Sequence, residues 1–520
     1  MPGHPHLGVM KGAPVISAYQ ERQLVTIFPV HDTEELGKLR AYWRSTNPLS
    51  PPLDQIRNYF GESVALYWSF AESYTKLLIL ITVFGLVEWI CESQGINYVH
   101  SNIIFSFLNL LCLAMFCEIW KRKSNEHSFF WGTSGKLRLK PPRPEYRGEL
   151  REHPVTGKLE MYYSQRKRLK RIFLVSVPVT IFCLVIAFVL MIMSFEADRM
   201  MMEFLLDPET GEASSDFMST ILSNIPSIVY SLIIIIFNKI YLKIGRVLTT
   251  WENHRTEEQH NLHLTFKLIS FEFVNTFIAL FYVGFWLQDL AALRSQLFTT
   301  LLVQQIVNQV QEVAIPYLLH RPASLKLMYR LNKKLGVNDK PMTRHIPGIK
   351  DLDKDDDRVR LVHHDTLADP LDNLHDDFME LWLQFGHVFL FAAVYPLSAA
   401  IALVNNLTEV LADRYKLCYL SRKPKPIAVR DIGGWYLAFR ITAILSVISN
   451  CVLIALDIRH TAGEGWSDLQ WFGMFVVIEH VFLVIFIGVN RLISDTSSKV
   501  KIAMDRADFY LKQKTVFADK

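Results

Sequence analysis

The chain has 520 residues, half of them apolar, with a formal net charge of only +4 and a mean hydropathy of +0.18. A positive mean hydropathy over such a length excludes an ordinary soluble protein, and the near balance of charges leaves no electrostatic footprint for nucleic acid. The composition is that of an all-α integral membrane protein.

Residues 1–60 are mostly polar and read as a short cytosolic N-terminal segment, with one strand expected in "RQLVTIFPV" and a helix in "DTEELGKLRAYWR", where an Asp precedes a helical pattern. No basic start leads into an apolar core with a small-residue cleavage site, so no cleaved signal peptide is expected. Apolar windows long enough to cross a bilayer follow near 64–91, 101–120, 172–195, 218–242, 266–287, 297–319, 378–398, 398–418, 435–457 and 469–493. They predict ten transmembrane helices within 61–495, the seventh and eighth being the hardest to separate, and a C-terminal tail over 496–520. Between the spans, 121–165 reads as a Pro-punctuated loop, and 336–376, with "DLDKDDDR", as a second. That acidic run lacks the Gly and the final Glu of a soluble calcium loop.

Basic residues set the orientation. The segments 121–171, 320–376 and 422–430 are rich in Lys and Arg, whereas 92–100, 196–217, 288–296 and 458–468 hold only Arg199, Arg294 and Arg459. The former belong in the cytosol, which places both termini there as well. The six cysteines form no CxxC pair and no cluster in an outer loop, so neither a disulfide framework nor a zinc site is expected. The one glycosylation sequon, at Asn406, falls inside a span.

The eighth window contains "ALVNNLTEVLAD", in which Asn405, Glu409 and Asp413 stand four apart on one helical face. The sixth ends "IVNQVQEVAIPYLLH", with Asn308 and Glu312 four apart, and the seventh begins "HDDFMELWLQFG", with Asp377 and Glu380 three apart. The orientation puts all three groups in the cytosolic third of the membrane. One such pair is ordinarily an interfacial carboxylate wetted by the cytosol; three at one depth ask for a cation. No Lys or Arg is expected on these faces, and Arg414 points about 100° away from Asp413. Five carboxylates close together repel by roughly 4 kcal/mol per pair at an effective dielectric near twenty. Two Ca²⁺ ions, with the Asn308 and Asn405 carbonyls completing an oxygen shell, would offset most of that charge. No HExxH or Glu-x-x-His pattern supports intramembrane metalloenzyme chemistry, so no enzyme activity is expected.

The chain resembles the anoctamin family of calcium-activated lipid scramblases and chloride channels. The likeness runs through "LDQIRNYFGESVALYW", "EIWKRK", "FVNTFIALFYVGF", "NQVQEVAIP", "FMELWLQFG", "YPLSAAIALVNNLTEVLADRYK" and "RDIGGW". "RPEYRGELREHPVTGKL" and "WENHRTEE" are most similar to its anoctamin 10 and anoctamin 8 branch. The resemblance implies that Asn308, Glu312, Asp377, Glu380, Asn405, Glu409 and Asp413 form a paired calcium site, and that Glu118 and Asp495 match a second, weaker one. Glu118 could instead cap a helix end near Lys121. The family's cytosolic N-terminal domain is matched only by its tail, "LVTIFPVHDTEELGKLRAYW". Leu302 stands where channel-type members carry a hinge glycine, so bending would fall to Pro316 or to a bulge.

In the fourth span Ser223, Ser227, Tyr230, Ser231, Asn238 and Tyr241 form a polar stripe, and the fifth adds Ser270, Glu272, Asn275, Thr276 and Tyr282. The family likeness implies a groove along spans four to six, with phospholipids as partners; the alternative is hydrogen bonding between packed helices. The expected function is calcium-activated phospholipid scrambling, with a calcium-activated anion channel or a non-transporting tether as alternatives. Few basic residues, such as Lys239, Lys243 and Lys267, stand in these spans to attract anions. The resemblance further implies a homodimer through the last span, where Glu479 and His480 interrupt an apolar run. Short outer loops without sequons or disulfides favour the endoplasmic reticulum membrane over the plasma membrane.

Overall fold

The computed structural model describes residues 29–47, 49–95, 98–133, 142–143, 145–152, 157, 159–205, 225–310, 365, 374–462 and 467–518. Nearly all of the strand expected in "RQLVTIFPV", and the acidic run of the 336–376 loop, lie outside these residues. In chain order the elements are α1 (Thr33–Ser45), α2 (Leu53–Phe60), α3 (Glu62–Ser93), α4 (Tyr98–Phe130), β1 (Glu149–Glu152) and β2 (Leu159–Tyr162). There follow α5 (Gln165–Arg171), α6 (Val177–Leu205), α7 (Ile225–Glu252), α8 (Glu257–Phe281), α9 (Leu290–Gln309) and α10 (His375–Phe389). The chain then forms α11 (Ser398–Tyr415), α12 (Gly434–Ala462), α13 (Asp468–Leu492) and α14 (Ser498–Ala518). Wider π-helical turns occupy Ile172–Ser176, Tyr282–Trp286 and Lys416–Leu420.

Six helical stretches among the described residues are long and apolar enough to cross a membrane: Glu62–Ser93, Ser101–Phe130, Gln165–Leu205, Glu257–Trp286, Gly434–Arg459 and Leu469–Val489. Ten were expected. The fourth window begins before Ile225, the first described residue of α7, and the apolar part of α9 is confined to Leu290–Val303. The seventh and eighth differ for a physical reason. α10 has 15 residues, so at 1.5 Å per residue it reaches about 22 Å, short of a hydrocarbon core of roughly 30 Å, whereas α11 runs on into the Lys416–Leu420 π turn but carries Glu409, Asp413 and Arg414 within its length.

The described residues divide into two compact units. One comprises the described parts of 26–135, 294–432 and 443–520; the other holds those of 136–293 and 433–442. In the first, α1 begins as its sequence predicts: the Asp32 carboxylate accepts hydrogen bonds from the Glu34 and Glu35 amides, and Leu36, Leu39 and Trp43 bury one face. α3 is its centre, packing against α4 on one side and α11 on another. Gly85 permits the closest approach, since a Cβ there would lie 2.3 Å from the Pro396 carbonyl oxygen.

The turn between α10 and α11 is buried rather than solvated: Leu390, Phe391, Ala392 and Ala393 are at most 2% exposed. Its free backbone groups find side chains on α12. Asn450 donates to the Phe389 carbonyl at 2.7 Å and accepts from the Ala393 amide at 2.8 Å, while Ser446 and Ser449 donate to the Phe389 and Leu390 carbonyls at 2.6 Å. Non-helical backbone away from water is tolerated only with such partners.

The expectation of a plain loop over 121–165 needs correction. α4 continues through "KRKSNEHSFF" to Phe130, and Lys123 reaches back to Glu72 on α3 at 2.8 Å. Further on, β1 and β2 pair antiparallel with Glu149 opposite Tyr162. This hairpin belongs to the second unit, in which α6, α7 and α8 pack on one another in all three combinations.

Candidate metal centre

α10 and α11 pack side by side, and their facing surfaces carry the acidic residues singled out from the sequence. Asp377, Asn405, Glu409 and Asp413 are all buried, and Glu380 is half-buried. Asn405 donates its side-chain amide to the Leu301 carbonyl at 3.2 Å, tying α11 to α9 two turns before Asn308. The side chain of Asn308, and all of Glu312, lie outside the described residues. The described stretch ends at Val310, and Pro316, expected as a point of bending in place of a glycine hinge, lies outside the described residues.

Two neighbours were missed in the sequence. The Tyr67 hydroxyl, on α3, donates to the Asp413 carboxylate, and the Tyr67 ring meets Phe378 edge to face at 5.2 Å. Lys416 places its ammonium 2.8 Å from the Asp377 carboxylate. The expectation that no basic side chain reaches these faces is therefore wrong. Lys416 was overlooked because it follows the last acidic residue of α11, where an α-helical projection no longer applies: the chain widens into the Lys416–Leu420 π turn at that point.

The donor set consists of carboxylate and amide oxygens, which suit a hard divalent cation such as Ca²⁺. A cation already sits among them in the form of the Lys416 ammonium, so the residues present fit such an ion in charge and in ligand type. The acidic residues of α10 and α11 do not themselves close to a single shell: no three of them bring carboxylate oxygens within 4.8 Å of one another.

At the second expected site, Asp495 pairs with Lys121 at 2.8 Å, and its carbonyl accepts from the Asn125 side chain at 3.1 Å. Glu118 is buried one turn before Lys121, in the middle of α4 rather than at a helix end. It is not a cap. The structure thus brings Asp495 to the same stretch of α4 as Glu118.

Of the polar stripe, Ser223 lies outside the described residues, as do the side chains of Ser227, Tyr230 and Ser231. Asn238 donates to Glu272 at 3.3 Å and accepts from Asn275 at 3.2 Å, making a three-residue ladder between α7 and α8. Tyr241 is buried and donates to the Lys267 carbonyl at 2.8 Å, whereas Thr276 is half-buried. Asn238, Tyr241, Glu272 and Asn275 thus bond between packed helices, the plainer of the two expectations. Ile236 and Ile240 on the same stretch of α7 remain exposed.

A multi-pass helical bundle with buried carboxylates on two packed helices defines a class of membrane protein rather than a soluble metal binder. The family profile described as "Anoctamin: Calcium-activated chloride channel" matches residues 56–507. The chain belongs to the anoctamin family. It is 34% identical to Anoctamin-10 of Mus musculus over 512 residues, covering 98% of this chain and 74% of that protein, with the same figures for Anoctamin-10 of Homo sapiens. Anoctamin-8 of Mus musculus is 31% identical over 325 residues, which cover 62% of this chain and 30% of that protein.

Proposed function

We propose that the chain is a calcium-activated phospholipid scramblase in which α9, α10 and α11 form the calcium sensor. The observation that supports this most directly is the burial of Asp377, Glu409 and Asp413 on two packed helices, with an ammonium already drawn in among them. Asn308, Glu312, Asp377, Glu380, Asn405, Glu409 and Asp413 would hold the ions. Bound calcium supplies the positive charge that lets these carboxylates stand close together.

The chain's own residues divide into a fixed part and a moving part. Asp377, Glu380, Glu409 and Asp413 sit on a hairpin clamped by α12 and by α3, and form a standing wall. Asn405 fastens α9 at Leu301, and Asn308 and Glu312, further along the sixth span, would be the ligands that approach and leave this wall. Without calcium, repulsion by the wall favours the outward position, and the equilibrium shifts only by the difference in ion affinity between the two positions. The Glu272–Asn238–Asn275 ladder holds α7 to α8 and is not itself the lipid path. A headgroup would need other polar side chains of the fourth and fifth spans, such as half-buried Thr276, to avoid the cost of entering hydrocarbon while its tails stay in it. We further propose a homodimer through α13, whose surface carries exposed Val477, His480 and Val484, and residence in the endoplasmic reticulum membrane.

The family description names a chloride channel, so anion permeation is the second reading. Both are decided in one experiment: purified protein in liposomes with fluorescent lipids, with and without calcium, alongside anion flux from the same vesicles. Calcium-dependent lipid movement is expected. Anion flux without lipid movement would establish the channel instead, and neither would leave a membrane tether.

A further inference from the structure

The second unit holds a cluster that the calcium sensor does not use. α7 ends at Glu252, and Asn253 takes a left-handed conformation (φ 59°) that turns the chain so that His254 returns beside Glu252. α8 then begins behind the Thr256 cap and presents His263 and Lys267 to the same point. Glu252 is fully buried and His254 nearly so, while His263 is 40% exposed and opens the cluster on one side.

The two oxygens of Glu252 have separate roles. Oε1 accepts from the Lys267 ammonium at 2.8 Å and from the Ser176 hydroxyl of the π turn preceding α6. Oε2 faces two imidazoles, with His254 Nε2 at 2.7 Å and His263 Nδ1 at 3.9 Å, and the two rings stack with centroids 4.2 Å apart. One ligand atom from each of Glu252, His254 and His263 lies within 4.8 Å of the others, and among the described residues no other His/Cys/Asp/Glu group meets that condition.

We infer that Glu252, His254 and His263 form a binding site for a borderline divalent transition metal, Zn²⁺ foremost, distinct from the carboxylate centre on α10 and α11. Two imidazole nitrogens and one carboxylate oxygen are a zinc donor set with a fourth position left for water, whereas calcium takes oxygen ligands. Lys267 and Ser176 serve as the outer hydrogen bonds that fix a ligating carboxylate, and they occupy the oxygen the metal does not need. The Lys267 charge opposes a cation and weakens binding without blocking the ligands. An ion there would join the end of α7 to α8 and hold in place the helices that carry the Asn238–Glu272 ladder.

The test uses the purified full chain, stripped of metal and then dialysed against Zn²⁺ in excess calcium, so that the carboxylate centre is shielded. Bound zinc is measured by elemental analysis, and Co²⁺ substitution is followed by its visible ligand-field absorption. About one zinc per chain is expected, together with a tetrahedral Co²⁺ spectrum. His263→Gln, at the half-exposed ligand, should retain the wild-type elution profile while weakening zinc at least tenfold, and His254→Gln should do the same. Glu409→Ala with Asp413→Ala should leave zinc binding unchanged. Absence of zinc from the wild type, undiminished zinc in folded His263→Gln, or loss of zinc in the Glu409/Asp413 variant would each overturn the assignment.

Discussion

Lys416 is the sharpest handle on the proposed sensor. Its ammonium lies 2.8 Å from Asp377, whose side chain is 7% exposed against 22% for the lysine, so the pair is largely shielded from solvent. A charge-assisted hydrogen bond of this kind contributes roughly 1.5–3 kcal/mol. If Asp377 is a calcium ligand, that bond has to be given up on binding, and the lysine acts as a tethered competitor. Lys416→Met removes the competitor while keeping the length and apolar character of the stem. Taking the lower figure, the calcium needed for half-maximal scrambling should fall about tenfold. Without calcium the same variant leaves Asp377 buried without its ammonium, so its thermal stability in chelator should drop while its stabilisation by calcium grows. Scrambling in liposomes across a calcium titration, paired with thermal unfolding in chelator and in calcium, reads both effects. An unchanged or raised calcium requirement would refute the reasoning, whatever the stability shows.

Three further outcomes are expected. Glu409→Ala or Asp413→Ala should raise the half-maximal calcium by about tenfold or more, which corresponds to roughly 1.4 kcal/mol in binding, measured in the same vesicles. Gly85→Ala sets a methyl against the Pro396 carbonyl at 2.3 Å and should destabilise the protein by about 1–3 kcal/mol in chemical denaturation, with calcium-free samples affected as much as loaded ones. Burial lowers the His31 imidazole pKa below 6.5, more than the Ser421 carbonyl and Asp365 raise it, with Lys423 and Arg40 adding to the decrease. A depressed histidine stabilises the fold fully above the unfolded value and loses that contribution as pH falls below it. Stability should therefore decline on acidification below about pH 6.5, and His31→Asn should flatten that slope.

Much of the site was legible because helical spacing is a local property. Asn405, Glu409 and Asp413 recur every four residues, and the structure puts them on the buried face of α11 as that spacing requires. The Asp32 cap was legible for the same reason. What crosses from one helix to another was not: nothing near Tyr67 indicates that its hydroxyl meets Asp413, 346 residues away. The continuous apolar run through "FLFAAVYPLSAAI" concealed a turn, because residues buried in protein and residues facing lipid share one hydropathy. Glu252, His254 and His263 escaped notice because a Glu-x-His step followed by an eight-residue gap matches no helical or metal motif; a left-handed Asn253 is what brings them together.

The buried turn at 390–397 also bears on how the chain enters the bilayer during synthesis. α10 is short and both α10 and α11 are acidic, and a translocating pore that selects segments by hydrophobicity would release such a hairpin poorly on its own merits. Its carbonyls are capped by Ser446, Ser449 and Asn450, residues made some fifty to sixty positions later. Its other supports are older: Thr75 accepts from Asn406, and Gly85 makes room for Pro396. The hairpin is therefore an unfinished insertion until α12 emerges, held between a helix already in place and one still to come. Ribosome-stalled chains that end before Ser446 should leave it accessible to water-soluble thiol reagents at an introduced Ala393→Cys, and chains that include α12 should protect it.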